Sequence, residues 1–225
     1  MQFYEQHYAR YCLREYIGMW YPNILGAVLY WIMIKLNIKR LKRKPFPVFR
    51  SVQDNLMDLD QVPEIYQAEI QAELNLLSRY GFVDPLVGGV ISGSSLNGLT
   101  QTGISLLSRH QKVDSAVSVI IDFHEGQTTR RPYFIFTFIE DPPSDITSSN
   151  GRLMCYSDPG GDIAYYPNIC FEELLQVHNQ RIMGLNKTCL IINDNEELIR
   201  LSDERLVKSI DKLIRRGILA LVEPK

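Results

Sequence analysis

The stretch with the most chemical promise is the glycine-rich run at 88–103, GGVISGSSLNGLTQTG. Gly93 and Gly98 stand at the GxxxxG spacing of a phosphate-binding loop, in which backbone N–H groups cradle phosphate oxygens. That loop continues with Lys and then Ser or Thr, which reach the phosphates and the metal. Here Leu99 and Thr100 follow, so the cation is missing, and the run reads as a loop or irregular hairpin of the kind Gly and Ser favour. The four histidines, His7, His110, His124 and His178, are scattered. Asp122, His124 and Glu125 cluster as metal ligands would, but adjacent residues of a strand point to opposite faces, so His124 and Glu125 would not converge. His178 reads as a surface or partly buried residue on a helix. Cys12, Cys155, Cys170 and Cys189 show no CxxC spacing, which gives no support to a structural zinc site or a redox pair. No catalytic, metal-ligating or cofactor-binding residue is assigned, and no cofactor is expected.

The elements around these residues divide by charge. Residues 1–50 carry nine Lys or Arg against two acids, a net of +7, while the other 175 carry fifteen against twenty-four, a net of −9. Between Glu15 and Lys35 lie nineteen residues without formal charge. As a helix they cover roughly 28 Å, close to the hydrocarbon thickness of a bilayer. Trp20, Tyr21, Tyr30 and Trp31 offer rings for the headgroup level, and Lys35 can snorkel outward. The cations Lys39, Arg40, Lys42, Arg43 and Lys44 then predict a single-pass anchor with the N-terminus outside and the C-terminal body cytoplasmic. Pro22 shortens the uninterrupted helix, so an interfacial helix is the competing expectation. Tyr4, Tyr8, Tyr11, Cys12, Tyr16 and Met19 fall near helical spacing and predict one helical face.

The prolines at 45 and 47 end this region, giving a division into an anchor segment with its basic flank (1–44), a linker (45–60) and an α+β domain (61–225). In the domain, Tyr66, Ile70, Leu74 and Leu77 form an apolar helical stripe, with Gly81 placed to end the helix. Residues 115–123 and 131–141 are rich in β-branched and aromatic residues and read as strands. A third helix is expected over 171–184. A last one should run from Ser202, as N-cap, to Gly217, followed by a short strand. The expected fold class is α+β: a membrane-associated helical segment, then an antiparallel sheet flanked by helices.

The order of these features resembles a group of uncharacterised bacterial membrane-anchored proteins with one N-terminal span and a cytoplasmic domain. The shared features are the basic run at 39–44, Pro45, the helix end Tyr80-Gly81-Phe82, the stretch Thr147-Ser148-Ser149-Asn150, and the helix holding Glu173, Leu174 and His178. This chain has Tyr80 where the group has Leu, and its N-terminus is more aromatic. The resemblance implies a membrane anchor and carries over no activity. The expected function is therefore protein binding, as a scaffold or assembly subunit of a membrane complex, without catalysis. The expected partners are anionic lipid headgroups and another subunit of that complex. The alternatives are an enzyme with its site around 88–103, and nucleic-acid binding through 39–44. The net charge of −9 on the body disfavours a broad phosphate-binding face, so no nucleic acid is expected.

Overall fold

The computed structural model describes residues 2–13, 16–17, 23–38, 46–48, 51–62, 64–91, 102–124, 127–130, 132–140, 145–151 and 162–222. In chain order these form β1 (Gln2–Gln6), α1 (Ile24–Lys35), β2 (Phe46–Val48), α2 (Glu64–Arg79), β3 (Phe82–Ile91), β4 (Thr102–His110), β5 (Ala116–His124), β6 (Gln127–Arg130), β7 (Tyr133–Phe138), β8 (Asp145–Ser149), β9 (Asp162–Tyr165), α3 (Phe171–Met183), α4 (Asn195–Arg215) and β10 (Leu219–Val222). The main sheet runs β3-β4-β5-β7-β8-β9, with β6 paired to the far end of β5. Its ladders are antiparallel except for β8 and β9, which are parallel. A second, three-stranded sheet runs β10-β1-β2.

Alternation along the strands makes two cores. Val117, Val119, Tyr133 and Ile135 point to one face of the main sheet, where Ile70 and Leu77 of α2 and Phe171 and Leu174 of α3 cover them. Ala116, Phe136 and Phe138 point to the other, under Leu198 and Leu201 of α4. The α2 stripe matches the predicted one, and Gly81 ends that helix at φ 85°, in the left-handed region. The helix α4 starts earlier than predicted. Asp194 caps it by accepting from the Glu197 N–H at 2.8 Å, with Glu196 and Glu197 at the positive end of the dipole, so Ser202 lies inside the helix.

The N-terminal region differs most from expectation. β1 pairs with β10 and with β2, so Tyr4 lies in a strand and the predicted single helical face does not form. Tyr4, Tyr11 and Tyr16 are buried together with Ile34 of α1, Ile210 and Leu213 of α4, and Leu219 of β10. The two ends of the chain thus share one core. The stretch read as a linker is tied down as well. Asp203 of α4 accepts from Ser51 Oγ at 2.7 Å and the Val52 N–H at 2.6 Å, and the Met57 N–H donates to the Val87 carbonyl at 2.9 Å.

The single-pass, membrane-spanning expectation is corrected here. The helix α1 has 12 residues, roughly 18 Å against the roughly 30 Å of a bilayer core. Both of its ends are sealed. Asn23 Oδ1 accepts from the Gly26 N–H at 2.9 Å. At the other end Asn37 takes φ 57°, the Asn37 N–H reaches the Ile34 carbonyl and the Ile38 N–H reaches the Met33 carbonyl, a Schellman closure. Among the described residues no helix is long and apolar enough to cross a membrane. The predicted orientation, N-terminus outside and body cytoplasmic, rested on that span and falls with it.

Candidate functional site

Two places combine residue types that the interior or the surface would not ordinarily hold. The first is a polar array inside the main domain. The central His178, on α3, is fully buried, as are Thr137 of β7 and Ser148 of β8 to within 1%. His178 Nε2 lies 3.1 Å from Thr137 Oγ1, and Nδ1 lies 3.1 Å from Ser148 Oγ. Thr137 Oγ1 continues to Ser115 Oγ at 2.9 Å. Arg181, one turn along α3, donates to Ser148 Oγ at 2.8 Å and to the Thr147 carbonyl at 2.6 Å, and pairs with Asp162 at 3.1 Å. Burial, reinforced by the Arg181 charge, pushes the imidazole down to about 3, so it is neutral. One direction of donation satisfies both imidazole nitrogens and the Thr137 and Ser148 hydroxyls. Arg181 and Nε2–H donate, Ser148 gives its hydroxyl proton to Nδ1, and Thr137 passes its own to Ser115.

A serine beside a histidine is the start of nucleophilic catalysis, but this pair lacks what the chemistry requires. An imidazole that titrates near 3 is a poor base for a serine proton at neutral pH. Its second nitrogen meets a hydroxyl where a catalytic triad supplies a carboxylate. Ser148 is fully buried, so a substrate has no approach to it. The array fastens α3 across β7 and β8. On the opposite face, α4 is fastened in the same manner. Arg205 Nε lies 3.2 Å from the fully buried carboxylate of Asp145, which also accepts from Thr147 Oγ1 at 2.6 Å, and the Arg205 guanidinium sits 5.5 Å over the Phe136 ring.

The second place is α1. At about 100° per residue, Ala27, Tyr30, Trp31 and Ile34 fall on one side of the helix. Ala27 and Ile34 are buried, and Ile34, Tyr30 and Trp31 pack on the tyrosine core. Trp31 Nε1 donates to the Tyr11 carbonyl at 3.2 Å, Lys35 Nζ donates to the Ala9 carbonyl at 2.7 Å, and Lys35 stands 5.6 Å over the Trp31 ring. Tyr30 meets Tyr16 at 6.2 Å between centroids. Leu25, Leu29, Ile32, Met33 and Leu36 fall within an arc of about 100° on the opposite side. All five are exposed, Leu25 at 72% and Leu36 at 65%, and Ile38 beyond the helix is exposed at 67%. The helix is apolar on both sides, and the fold covers only one of them.

Of the residues predicted to contact lipid, Tyr30, Trp31 and Lys35 are placed against the N-terminal segment, while Trp20, Tyr21, Lys39, Arg40, Lys42, Arg43 and Lys44 lie outside the described residues. In the glycine-rich run, Gly88 and Gly89 belong to β3 and Gly103 to β4, and Gly93 and Gly98 lie outside the described residues. Gly88 has a packing role: a Cβ there would stand 2.8 Å from Ser105 Oγ and 3.2 Å from the Asn55 carbonyl, where Leu56 bridges to the strand. Asp122 and His124 fall at the end of β5, with Glu125 outside the described residues. Among the described residues no group of three or more His, Cys, Asp or Glu could hold a metal ion. His178 departs from the surface or partly buried position expected for it. The outward aliphatic face of α1 lies within and just beyond the uncharged stretch between Glu15 and Lys35, where Asn23 and Asn37, both helix-end residues, signal how short the helix is. Comparison of the chain with models of protein families, with curated proteins and with solved structures returns no match.

Proposed function

We propose that this protein works by binding, as a docking or assembly subunit whose contact surface is the outward face of α1. The observation that carries the reading is the row Leu25, Leu29, Ile32, Met33 and Leu36, left in solvent by a fold that buries the other side of the same helix. Scattered exposed aliphatics are ordinary, but a contiguous apolar face is the usual mark of a contact surface. The face is held rigidly. The Asn23 cap, the Asn37 closure, and the Trp31 and Lys35 bonds to the N-terminal segment fix α1 before any partner arrives. A preformed surface of this kind avoids the ordering cost of a disordered one.

The test is the behaviour of the full chain in gently lysed cells. The double variant Leu25→Glu, Leu29→Glu should leave large assemblies on a density gradient and sediment as free protein, with an unchanged melting temperature. A variant that sediments as the natural chain does would end this reading.

A further inference from the structure

We infer that the outward face of α1 is the contact between two copies of this chain, which pack α1 on α1 in antiparallel register about a twofold axis. The inference rests on the binding function just proposed and names its partner. The first observation is spacing. Leu25, Leu29, Ile32 and Leu36 follow one another at steps of four, three and four residues. At about 100° per residue they fall within about 60°, a seam narrower than the stripe a helix lays on a core. Met33 flanks it. Alternating steps of four and three are the coiled-coil pattern, in which each side chain enters a hole between side chains of a facing helix. Such a row fits another helix, and it fits a copy of itself. Run antiparallel, Leu25 of one copy meets Leu36 of the other, and Leu29 meets Ile32.

The second observation is charge. A twofold contact sets the same patch of both copies face to face, so a charge in the seam would meet its own like. The seam has none. Lys35, the one charged residue of α1, lies at its border, and its ammonium donates to the Ala9 carbonyl at 2.7 Å. The antiparallel course places the two Lys35 side chains at opposite ends of the contact and opposes the two helix dipoles. The third observation is composition. Interfaces draw on Trp, Tyr and Arg at their centres, and those of homodimers are more apolar than those between different proteins. Tyr30 and Trp31 are turned inward onto the tyrosine core, and the seam holds Leu and Ile alone. Extent sets the strength. The exposed parts of Leu25, Leu29, Ile32, Met33 and Leu36 come to on the order of 500 Å² per copy, or about 1,000 Å² for the pair, the lower margin of a specific contact. A dimer that forms and parts in the micromolar range follows. A free helix of 12 residues would not hold its shape in water, but the Asn23 cap, the Asn37 closure and the tyrosine core keep α1 formed in each copy.

The test is analytical sedimentation of the full chain at concentrations from about 1 to about 300 μM, across which the natural chain should pass from monomer to dimer. Leu29→Glu and, separately, Ile32→Lys should each weaken the dimer at least about tenfold, with the melting temperature checked to show an intact fold. An equal mixture of these two variants should recover it, because position 29 of one copy then meets position 32 of the other, acid against base. A parallel pair would bring 29 to 29 and 32 to 32, so a mixture that recovers nothing would overturn the antiparallel contact inferred here. A chain that stays monomeric over the whole range would overturn the inference outright. So would a dimer indifferent to both substitutions, since it uses another surface. If the dimer is absent while the Leu25→Glu, Leu29→Glu variant still leaves its cellular assemblies, the face meets a different protein, and the binding function stands without the self-pairing. If that double variant matches the natural chain in both the sedimentation and the gradient experiments, both fall.

Discussion

The strip between β7 and β8 and the outer side of α1 reverse the ordinary distribution of residue types. Thr137, Asp145, Thr147, Ser148 and His178 are polar and lie inside; Leu25, Leu29, Ile32, Met33 and Leu36 are apolar and lie outside. The difference between them is the number of partners. Each interior polar group is met by another from a different element: Asp145 by Arg205 of α4, His178 by β7 and β8, Ser148 by Arg181. Buried polar groups persist on that condition, since an unmet one costs about 1–3 kcal/mol. The outer aliphatics of α1 have no such requirement, because water tolerates them singly, and what they lack is cover. The interior strip is therefore costly to disturb and the exterior row is cheap to disturb, which separates a structural array from a docking surface.

The largest effect should come from Arg205→Ala. It strips the cation from a fully buried carboxylate and removes the packing over Phe136. Loss of about 3 kcal/mol is expected, the low end of the range for a broken buried pair because the Arg205 side chain is 24% exposed. Urea unfolding of the full chain measures it; a change under about 1 kcal/mol would mean that the strip is not the structural array described here. Acid tests the same strip through His178. Its folded-state value, about 3, lies below the ordinary 6.5, so only the unfolded chain takes up the proton as the pH falls between these values. The contribution is fully present above pH 6.5 and is lost downward. By pH 4.5 the loss is on the order of 2–3 kcal/mol. The comparison is with His178→Gln, which cannot titrate: its stability should fall less steeply between pH 6.5 and 4.5. Parallel slopes would show that the imidazole is not held neutral by burial.

Much of the fold is legible where the signal is local. The stripe from Tyr66 to Leu77 and the terminator Gly81 are read from spacing and one glycine, and α2 forms as read. The strands β5 and β7 announce themselves by β-branched and aromatic runs. Distant pairing was illegible. Tyr4, Tyr8, Tyr11 and Tyr16 have helical spacing, yet β10 at the other end of the chain claims Tyr4 for a strand. Ser202 is a sound capping residue, but Asp194 with two glutamates in the following turn starts α4 first. His178 is buried because hydroxyls on two other elements meet both of its nitrogens, and no spacing along α3 reveals that. The outer face of α1 needed the opposite information, which side of an apolar helix the fold would leave uncovered. Hydropathy sums the two sides and cannot separate them.

The two sides of α1 can be separated by substitution. Ile34 is 7% exposed and packs with the buried tyrosines, Ile210 and Leu213, so Ile34→Ala should cost about 2 kcal/mol. A denaturation midpoint that does not move would remove α1 from the shared core of the chain ends.

The smallest effect is expected from Leu29→Gln on the opposite side of that helix. Leu29 is 54% exposed, and Gln is nearly as good a helix former as Leu, so neither packing nor propensity changes much. Stability should shift by no more than about 0.5 kcal/mol in either direction, the usual range for a surface position. A soluble side chain on the same rigid helix would nevertheless interrupt the aliphatic row. The informative result is the pairing of the two measurements: an unchanged unfolding curve with weakened association. Should Leu29→Gln destabilise the fold as much as Ile34→Ala, the outer row is packed against part of this chain and is not free for a partner, and the contrast between the polar interior and the apolar exterior disappears.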